Sequence, residues 1–277
     1  MKYVYYYISC FLMVLCTASV CAQDLVSEQA LLMVHFGTTY DDTRQKTIDA
    51  INEKARQTFK GWQVREAYSS PRVMKRLAER GIRKDAPVDA LLRLRGEGCR
   101  RVIVLPSFVI DGREMDMLRS EVDRVRPFFD SISVCTPLLY SAADCERVCR
   151  ILVNRHPASK AKREHVLFVG HGTEGPATAL YSQLDYMLKA DGHDNYHVAT
   201  IEGYPTQDTA IRELKARKAR RVTLVPLLFV AGDHASNDIK VDWKEELERQ
   251  GFSVAVSLEG LGEVPEIQDL YIKKIKQ

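Results

Sequence analysis

The sequence predicts an α/β fold of two similar lobes, each a parallel sheet flanked by helices. Matched segments carry this prediction, together with the alternation of apolar strands and amphipathic helices. Residues 100–114 (RRVIVLPSFVIDGRE) are a near copy of residues 220–234 (RRVTLVPLLFVAGDH). Each copy runs from a basic pair through a β-rich apolar segment to a proline and a glycine. This pattern is typical of a buried strand followed by a polar loop.

Two further segments extend the repeat in the same order. Residues 31–39 (LLMVHFGTT) match residues 166–174 (VLFVGHGTE), and the tripeptide 66–68 (EAY) matches the tripeptide 202–204 (EGY). Any two α/β halves have apolar runs in common, but this general likeness does not explain the matching proline, glycine and Gly-Thr positions. We therefore interpret the chain as an internal duplication.

The predicted elements follow one order in both lobes. The first lobe has strands at 30–34, 63–67 and 102–105, with helices at 43–58 and 87–96; the second has strands at 166–169, 197–201 and 222–225, with helices at 177–190, 209–218 and 242–250. Strands separated by helices of this length imply right-handed crossovers and a parallel sheet covered on both faces.

The predicted lobes span residues 28–140 and 141–277, with a linker within 141–162. A closing helix at 267–275 is expected to pack across the opposite lobe.

Residues 1–22 are predicted to be a signal peptide. They contain one early lysine, an apolar stretch at 8–20 and Val-Cys-Ala before Gln23, which is a small-residue cleavage pattern. The apolar stretch is short for a membrane span. We therefore expect an exported, periplasmic protein. Lipidation at Cys21, giving an envelope-anchored form, is the less favoured alternative because Val20 fits poorly before such a cysteine.

Composition excludes several classes of function. The formal net charge is +3, and no clustered basic face indicates nucleic-acid binding. Three of the seven cysteines lie in the predicted signal peptide. The other four show neither a CxxC motif nor Cys/His zinc spacing, so we interpret them as small buried apolar residues.

Three polar side chains follow the strands of the second lobe: His171, Glu202 and His234. Because the carboxyl ends of parallel strands meet at one edge of a sheet, these residues are expected to converge. Two imidazoles and a carboxylate suit cobalt, iron, nickel or zinc, and they leave coordination positions open for exchange or chemistry. Taken singly, each histidine could be an ordinary loop residue and Glu202 could cap a helix.

Two other motifs are rejected as decoys. Residues 170–175 (GHGTEG) satisfy GxGxxG after a strand, but Pro176 follows and the matching loop of the first lobe keeps only Gly37. No nucleotide cofactor is therefore expected. A phosphohistidine hydrolase typically has arginine before its histidine, whereas residue 170 is glycine.

Several motifs together resemble the anaerobic-type sirohydrochlorin cobaltochelatases, which belong to the class II tetrapyrrole chelatases and are relatives of ferrochelatase. The similarity runs from about residue 31 to residue 275. It rests on FGTTYDDT at 36–43, GHGT at 170–173, EGYP at 202–205, AGDHASND at 231–238 and LEGLGEVPEI at 258–267. The resemblance implies two α/β lobes facing each other across a cleft.

The resemblance also implies the site. It places metal ligands at His171, Glu202 and His234, with His171 as proton acceptor as well. Glu114 aligns with His234 in the repeat, and we add it as a second catalytic candidate. Thr38 and Tyr204 are candidate substrate contacts. The expected reaction inserts Co²⁺, or alternatively Fe²⁺, into sirohydrochlorin or a related macrocycle, so the divalent metal is a substrate.

Other functions stay open at this point. Export leaves open the alternative of a haem- or tetrapyrrole-binding protein, or of a reverse chelatase that releases iron from haem, but the intact set of His171, Glu202 and His234 favours the enzyme. A metal-dependent hydrolase is a more distant alternative. The expected partners are a tetrapyrrole, with haem as an alternative, and a second copy of the chain if the protein is a homo-oligomer.

Overall fold

The computed structural model describes residues 28–232 and 235–275. The predicted signal peptide, residues 1–22, lies outside the described residues. Within the described ranges, no helix combines the length and the apolar character that a membrane crossing requires.

Each lobe is built on a four-stranded sheet in which every neighbouring pair is parallel. The first sheet has the order β2-β1-β3-β4 and the second has the order β6-β5-β7-β8. The strands are β1 (Gln29–His35), β2 (Gln63–Tyr68), β3 (Arg101–Pro106), β4 (Ser131–Val134), β5 (Glu164–Gly172), β6 (Tyr196–Glu202), β7 (Arg221–Pro226) and β8 (Ser253–Val256). The predicted fold class is confirmed.

Helices cover the sheets. The first lobe has α1 (Asp41–Arg44, Gln45–Asp49 and Ala50–Thr58, the middle part π-helical), α2 (Pro71–Glu79), α3 (Pro87–Gly96) and α4 (Arg113–Val125). The rest of the chain has α5 (Ala142–Arg155), α6 (Ala179–Ala190), α7 (Gln207–Ala216), α8 (Ala235–Trp243, π-helical, then Lys244–Arg249) and α9 (Pro265–Lys274).

The repeat is visible in the register of the two sheets. Val34 pairs with Pro106 in the first sheet, and Val169 pairs with Pro226 in the second. The residue after each proline donates its N–H to the valine carbonyl, at 2.9 Å in the first lobe and 2.8 Å in the second. Because Val34 and Val169 are equivalent, Phe36 is the counterpart of His171, as the sequence predicts.

One predicted match is wrong. Ala67 pairs with Val34 and Ala199 pairs with Val169, so the two alanines are equivalent and Glu66 corresponds to Val198. The tripeptide EAY therefore lies inside strand β2, whereas EGY begins at the end of β6. Counting on from the alanines, Glu202 corresponds to Ser70, and the first lobe has no carboxylate at that position.

The two lobes share one apolar core. Leu31 and Met33 of β1 and Val166 and Phe168 of β5 belong to the same buried cluster. Helix α9 closes this core against the first lobe, where the Tyr271 hydroxyl lies 3.0 Å from the Phe108 carbonyl oxygen. The predicted closing helix is confirmed, and burial of this apolar surface is the main force that holds the lobes together.

The four cysteines in the described part of the chain form no disulfide, and Cys99, Cys145 and Cys149 are buried. Burial raises the pKa of Cys149 to about 12, so its thiol is neutral and inert at physiological pH. These three cysteines behave as the small apolar residues that the sequence predicts.

Candidate functional site

His171 is the penultimate residue of β5. It is partly buried, and its Nδ1 is 3.2 Å from the carbonyl oxygen of Gly172. A carbonyl only accepts, so Nδ1 carries the proton in this contact. The neutral imidazole then has its lone pair on Nε2, which is the atom suited to bind a metal or accept a proton.

Tyr181 of α6 fixes the backbone on either side of His171. A methyl group on Gly170 would lie 2.2 Å from Cε1 of the Tyr181 ring, so only glycine fits there. The backbone of Gly172 hydrogen-bonds the phenol oxygen of Tyr181. Gly172 itself has φ +80°, and a methyl group there would meet the Glu202 carbonyl oxygen at 1.7 Å. The two glycines of the GHG motif are therefore required by packing.

Glu202 is the last residue of β6 and is exposed. Gly172 pairs with Glu202 in the parallel register, so the ends of β5 and β6 are adjacent. Because successive side chains of a strand alternate between the two faces, His171 and Glu202 project from opposite faces of the sheet. They can meet only beyond the strand ends, over the edge of the sheet.

The loops that follow β5 and β6 pack on each other. A methyl group on Gly203 would lie 2.4 Å from the Thr173 carbonyl oxygen. The Thr178 hydroxyl accepts from the Tyr204 N–H at 3.2 Å and donates to the Tyr204 carbonyl at 3.0 Å. This contact holds the exposed Tyr204 ring next to the edge that carries His171 and Glu202.

Thr38, in the loop after β1, lies at a contact between the two lobes. It is buried, and its hydroxyl accepts from the Tyr40 N–H at 3.2 Å. A methyl group on Gly232 would lie 3.4 Å from Thr38 Oγ1, so the loop after β1 touches the loop after β7. His234, the third predicted ligand, lies outside the described residues, and its place as a ligand stays a prediction.

Glu114 lies in the first turn of α4 and is exposed. Burial raises the pKa of Tyr181 to about 12, and the charge of Glu114 adds to that rise. Glu114 of the first lobe therefore acts electrostatically on a tyrosine of the second. Its role as a second catalytic residue stays a prediction.

Comparison with known proteins identifies the family. The family model described as cobalt chelatase (CbiK) matches residues 29–277. The chain belongs to the cobalt chelatase family. A sirohydrochlorin cobaltochelatase of Salmonella typhimurium is 33% identical over 255 residues, covering 90% of this chain and 96% of that protein. A sirohydrochlorin cobaltochelatase of Nitratidesulfovibrio vulgaris is 30% identical and covers 89% of each chain.

Solved structures show that the chain has the fold of other chelatases. SirB from Bacillus subtilis with Fe³⁺ superimposes with a TM-score of 0.64 at 14% identity, covering 90% of this chain and 94% of SirB. CbiX, described as the terminal enzyme for biosynthesis of sirohaem in denitrifying bacteria, gives a TM-score of 0.56 at 18% identity, with 89% and 98% covered.

The first lobe carries a histidine that stays inside the fold. His35 is fully buried, with Nδ1 2.9 Å from Ser107 Oγ and Nε2 3.0 Å from Asn52 Oδ1. Asn52 in turn donates to Glu66 at 2.9 Å, and Lys84 forms an ion pair with Glu66. Both ring nitrogens of His35 are thus engaged by buried partners. We therefore interpret the hydrogen bonds of His35 as structural.

Tyr181 was missed by sequence reasoning. Its helix was predicted, but nothing in the periodicity of α6 shows that this ring lies under a motif on β5. The only signal is the glycine at position 170, because a glycine inside a strand often marks a close approach.

Proposed function

We propose that the protein inserts Co²⁺ into sirohydrochlorin at the edge formed by the ends of β5 and β6. The observation that carries the proposal is the match to the cobalt chelatase family over residues 29–277, with His171 and Glu202 on adjacent strand ends inside that match. The names of the two curated relatives support sirohydrochlorin as the macrocycle.

The reaction is an exchange of one metal ion for two protons. The cation enters the macrocycle, and two pyrrole N–H groups lose their protons, so charge and atoms balance. The site must therefore hold a cation weakly and accept protons. A neutral imidazole can do either task near neutral pH. His171 suits both because the Gly172 carbonyl engages Nδ1 and leaves the lone pair on Nε2.

The two carboxylates have different roles in this proposal. Glu202 lowers the charge of the bound cation and holds it at the strand end. Glu114 approaches from the first lobe, where it assists proton removal or contacts the macrocycle. The coupling between Glu114 and Tyr181, which underlies Gly170 and Gly172, supports this position. His234 completes the set of metal ligands in the proposal.

A planar macrocycle needs flat apolar surface as well as charge. Phe36, Tyr40 and Tyr204 follow β1 and β6, and their side chains are 47%, 42% and 54% exposed. Aromatic faces favour stacking on a conjugated ring. Tyr204 therefore acts as a substrate contact in the proposal. Thr38, the other candidate contact, is buried and joins the two loops instead.

The main experiment follows the absorption of sirohydrochlorin after addition of Co²⁺. We expect His171→Ala to lower the rate by roughly 10²- to 10⁴-fold, the usual contribution of a positioned acid or base. His193→Ala is the matched control, since His193 packs against Tyr196 at the start of β6 and away from the strand ends. Equal rates for the wild type, His171→Ala and His193→Ala would contradict the proposal.

Two finer points are tested separately. Parallel assays with Fe²⁺ decide whether cobalt is the preferred metal. Tight haem binding without metal insertion would instead support the binding-protein alternative.

We also propose that the protein is exported, on the strength of residues 1–22 alone. Mass spectrometry of the mature N-terminus would show cleavage before Gln23, lipidation at Cys21, or an intact Met1 that contradicts export.

A further inference from the structure

A second group of metal-ligating side chains lies on the outer side of the edge strand β6. Within the part of the chain that the structure describes, Asp185, His197 and Glu213 offer ligand atoms that all lie within 4.8 Å of one another. Asp185 comes from α6, His197 from β6 and Glu213 from α7. His197 is 1% exposed, whereas both carboxylates are partly exposed.

The hydrogen bonds around His197 have a defined direction. Its Nδ1 is 3.2 Å from Glu213 Oε2, and an ionised carboxylate only accepts, so Nδ1 donates. The hydrogen bond from His197 lowers the pKa of Glu213, which reaches about 2. On the other side, Nε2 of His197 is 2.9 Å from Nδ1 of His165, so His165 donates to it.

Lys189 occupies the place that a cation would take. Its ammonium group forms ion pairs with both Asp185 and Glu213. Two carboxylates around one ammonium leave the group with an excess negative charge. The Lys189 side chain is 17% exposed, so it can reach water without unfolding of the helix.

A cavity of about 180 Å³ borders the group. Its lining includes Asp185, His197 and Glu213, together with Tyr204 and Pro205 from the loop after Glu202. The volume is enough for several water molecules. A partly hydrated cation therefore has room beside the three ligand atoms, next to the loop that begins at Glu202.

We propose that Asp185, His197 and Glu213 form a second binding site for a divalent metal ion, in which the metal displaces the ammonium group of Lys189. One imidazole and two carboxylates suit Co²⁺, Fe²⁺, Ni²⁺ or Zn²⁺. A role in supplying this metal to the strand edge rests on the proposed function; the binding itself does not.

His165 orients the ligand in this arrangement. When a metal replaces the proton on Nδ1 of His197, the Nδ1 proton of His165 moves to Nε2 of His197, which then donates back to Nδ1 of His165. His165 takes up the displaced proton on its own Nε2. The two rings keep their total number of protons, and Lys189 stays charged in solvent. Outer-shell partners of this kind typically contribute about 10- to 100-fold in metal affinity.

The test measures Co²⁺ binding by isothermal titration, with equilibrium dialysis and metal analysis for stoichiometry. The parent is the His171→Ala/His234→Ala protein, which lacks the imidazole ligands of the proposed chelation site. We expect it to bind one Co²⁺ and to lose that ion on His197→Ala or Glu213→Gln. Glu213→Gln keeps the shape of the side chain and guards against misfolding of the histidine variant, and circular dichroism checks both.

Substitution of Lys189 distinguishes a metal site from a merely structural group of charged side chains. Lys189→Met removes two charge-assisted bonds that compete with the metal, so Co²⁺ should bind about tenfold tighter or more. Lys215→Met is the matched control, since Lys215 lies on α7 and bonds Gln250 outside the group. The proposal is overturned if the Lys189→Met variant of the parent binds no Co²⁺, or if binding is unchanged by Glu213→Gln.

The two proposals fail in different ways. If only the second site exists, the wild type and the parent both bind one ion. If only the chelation site exists, the wild type binds one ion and the parent binds none.

Discussion

The two lobes place a histidine at nearly the same point of the same strand, with opposite results. In the first lobe, His35 is buried at the end of β1, and Ser107 and Asn52 engage both of its ring nitrogens. In the second lobe, the equivalent position is Gly170, and the histidine comes one residue later at position 171. The residue equivalent to His171 in the first lobe is Phe36, which is 47% exposed.

An offset of one residue explains the difference. Successive side chains of a strand point to opposite faces of the sheet, so position 35 faces the core shared by the lobes and position 171 does not. His35 stacks on Phe229 of the second lobe with ring centroids 6.0 Å apart. The same side chain therefore supports the lobe contact in one half and is presented at the edge in the other.

The sharpest way to break this comparison is to remove each histidine and measure stability. His35→Ala removes the hydrogen-bond partner of Asn52 Oδ1 and of Ser107 Oγ in the core, at about 1–3 kcal/mol for each group. His171→Ala should change the free energy of unfolding by less than about 1 kcal/mol. Urea denaturation of both variants checks this. A larger loss for His171→Ala than for His35→Ala would contradict the assignment of roles.

A second prediction concerns the glycine that takes the place of His35. Gly170→Ala forces a methyl group against the Tyr181 ring and should cost about 1–3 kcal/mol. Gly96→Ala is the control, because a methyl group there meets nothing within 4 Å. The double variant Gly170→Ala/Tyr181→Leu should recover part of the loss. Additive effects in thermal denaturation would show that the ring is not the cause.

A third prediction concerns the pH dependence of stability. Burial lowers the pKa of His35, and burial lowers that of His165 to about 4. Below about pH 6.5 the unfolded chain binds these protons and the folded chain does not. Stability should therefore fall on acidification from pH 6.5 towards 4, by at most about 1.4 kcal/mol per pH unit for each histidine. His35→Asn should show a shallower fall between these pH values; an unchanged slope would contradict the account.

Much of the fold could be predicted from the repeated segments. The apolar runs of β1, β3, β5 and β7 are continuous because both faces of these central strands are buried. The edge strands β4 and β8 were missed, since four residues such as Ser131–Val134 are too few to show a period. Helices α2 and α4 were also missed.

The site was only partly accessible. Residue types and order indicate a metal at His171 and Glu202, but the match of EAY to EGY was wrong because three letters do not fix a register. The group around His197 was missed for a related reason. In the sequence, His165 and His197 lie near the starts of predicted strands, away from the edge that carries His171. Only tertiary packing brings them together with Asp185 and Glu213.

The closing helix α9 has a consequence for synthesis of the protein. Ile267, Tyr271 and Ile272 belong to the same core as Leu138 and Leu139 near the middle of the chain. A nascent chain therefore keeps that apolar surface uncovered until α9 has left the ribosome. A truncation that removes α9 would leave the molecule in this unfinished state, which is the state that chaperones and proteases recognise.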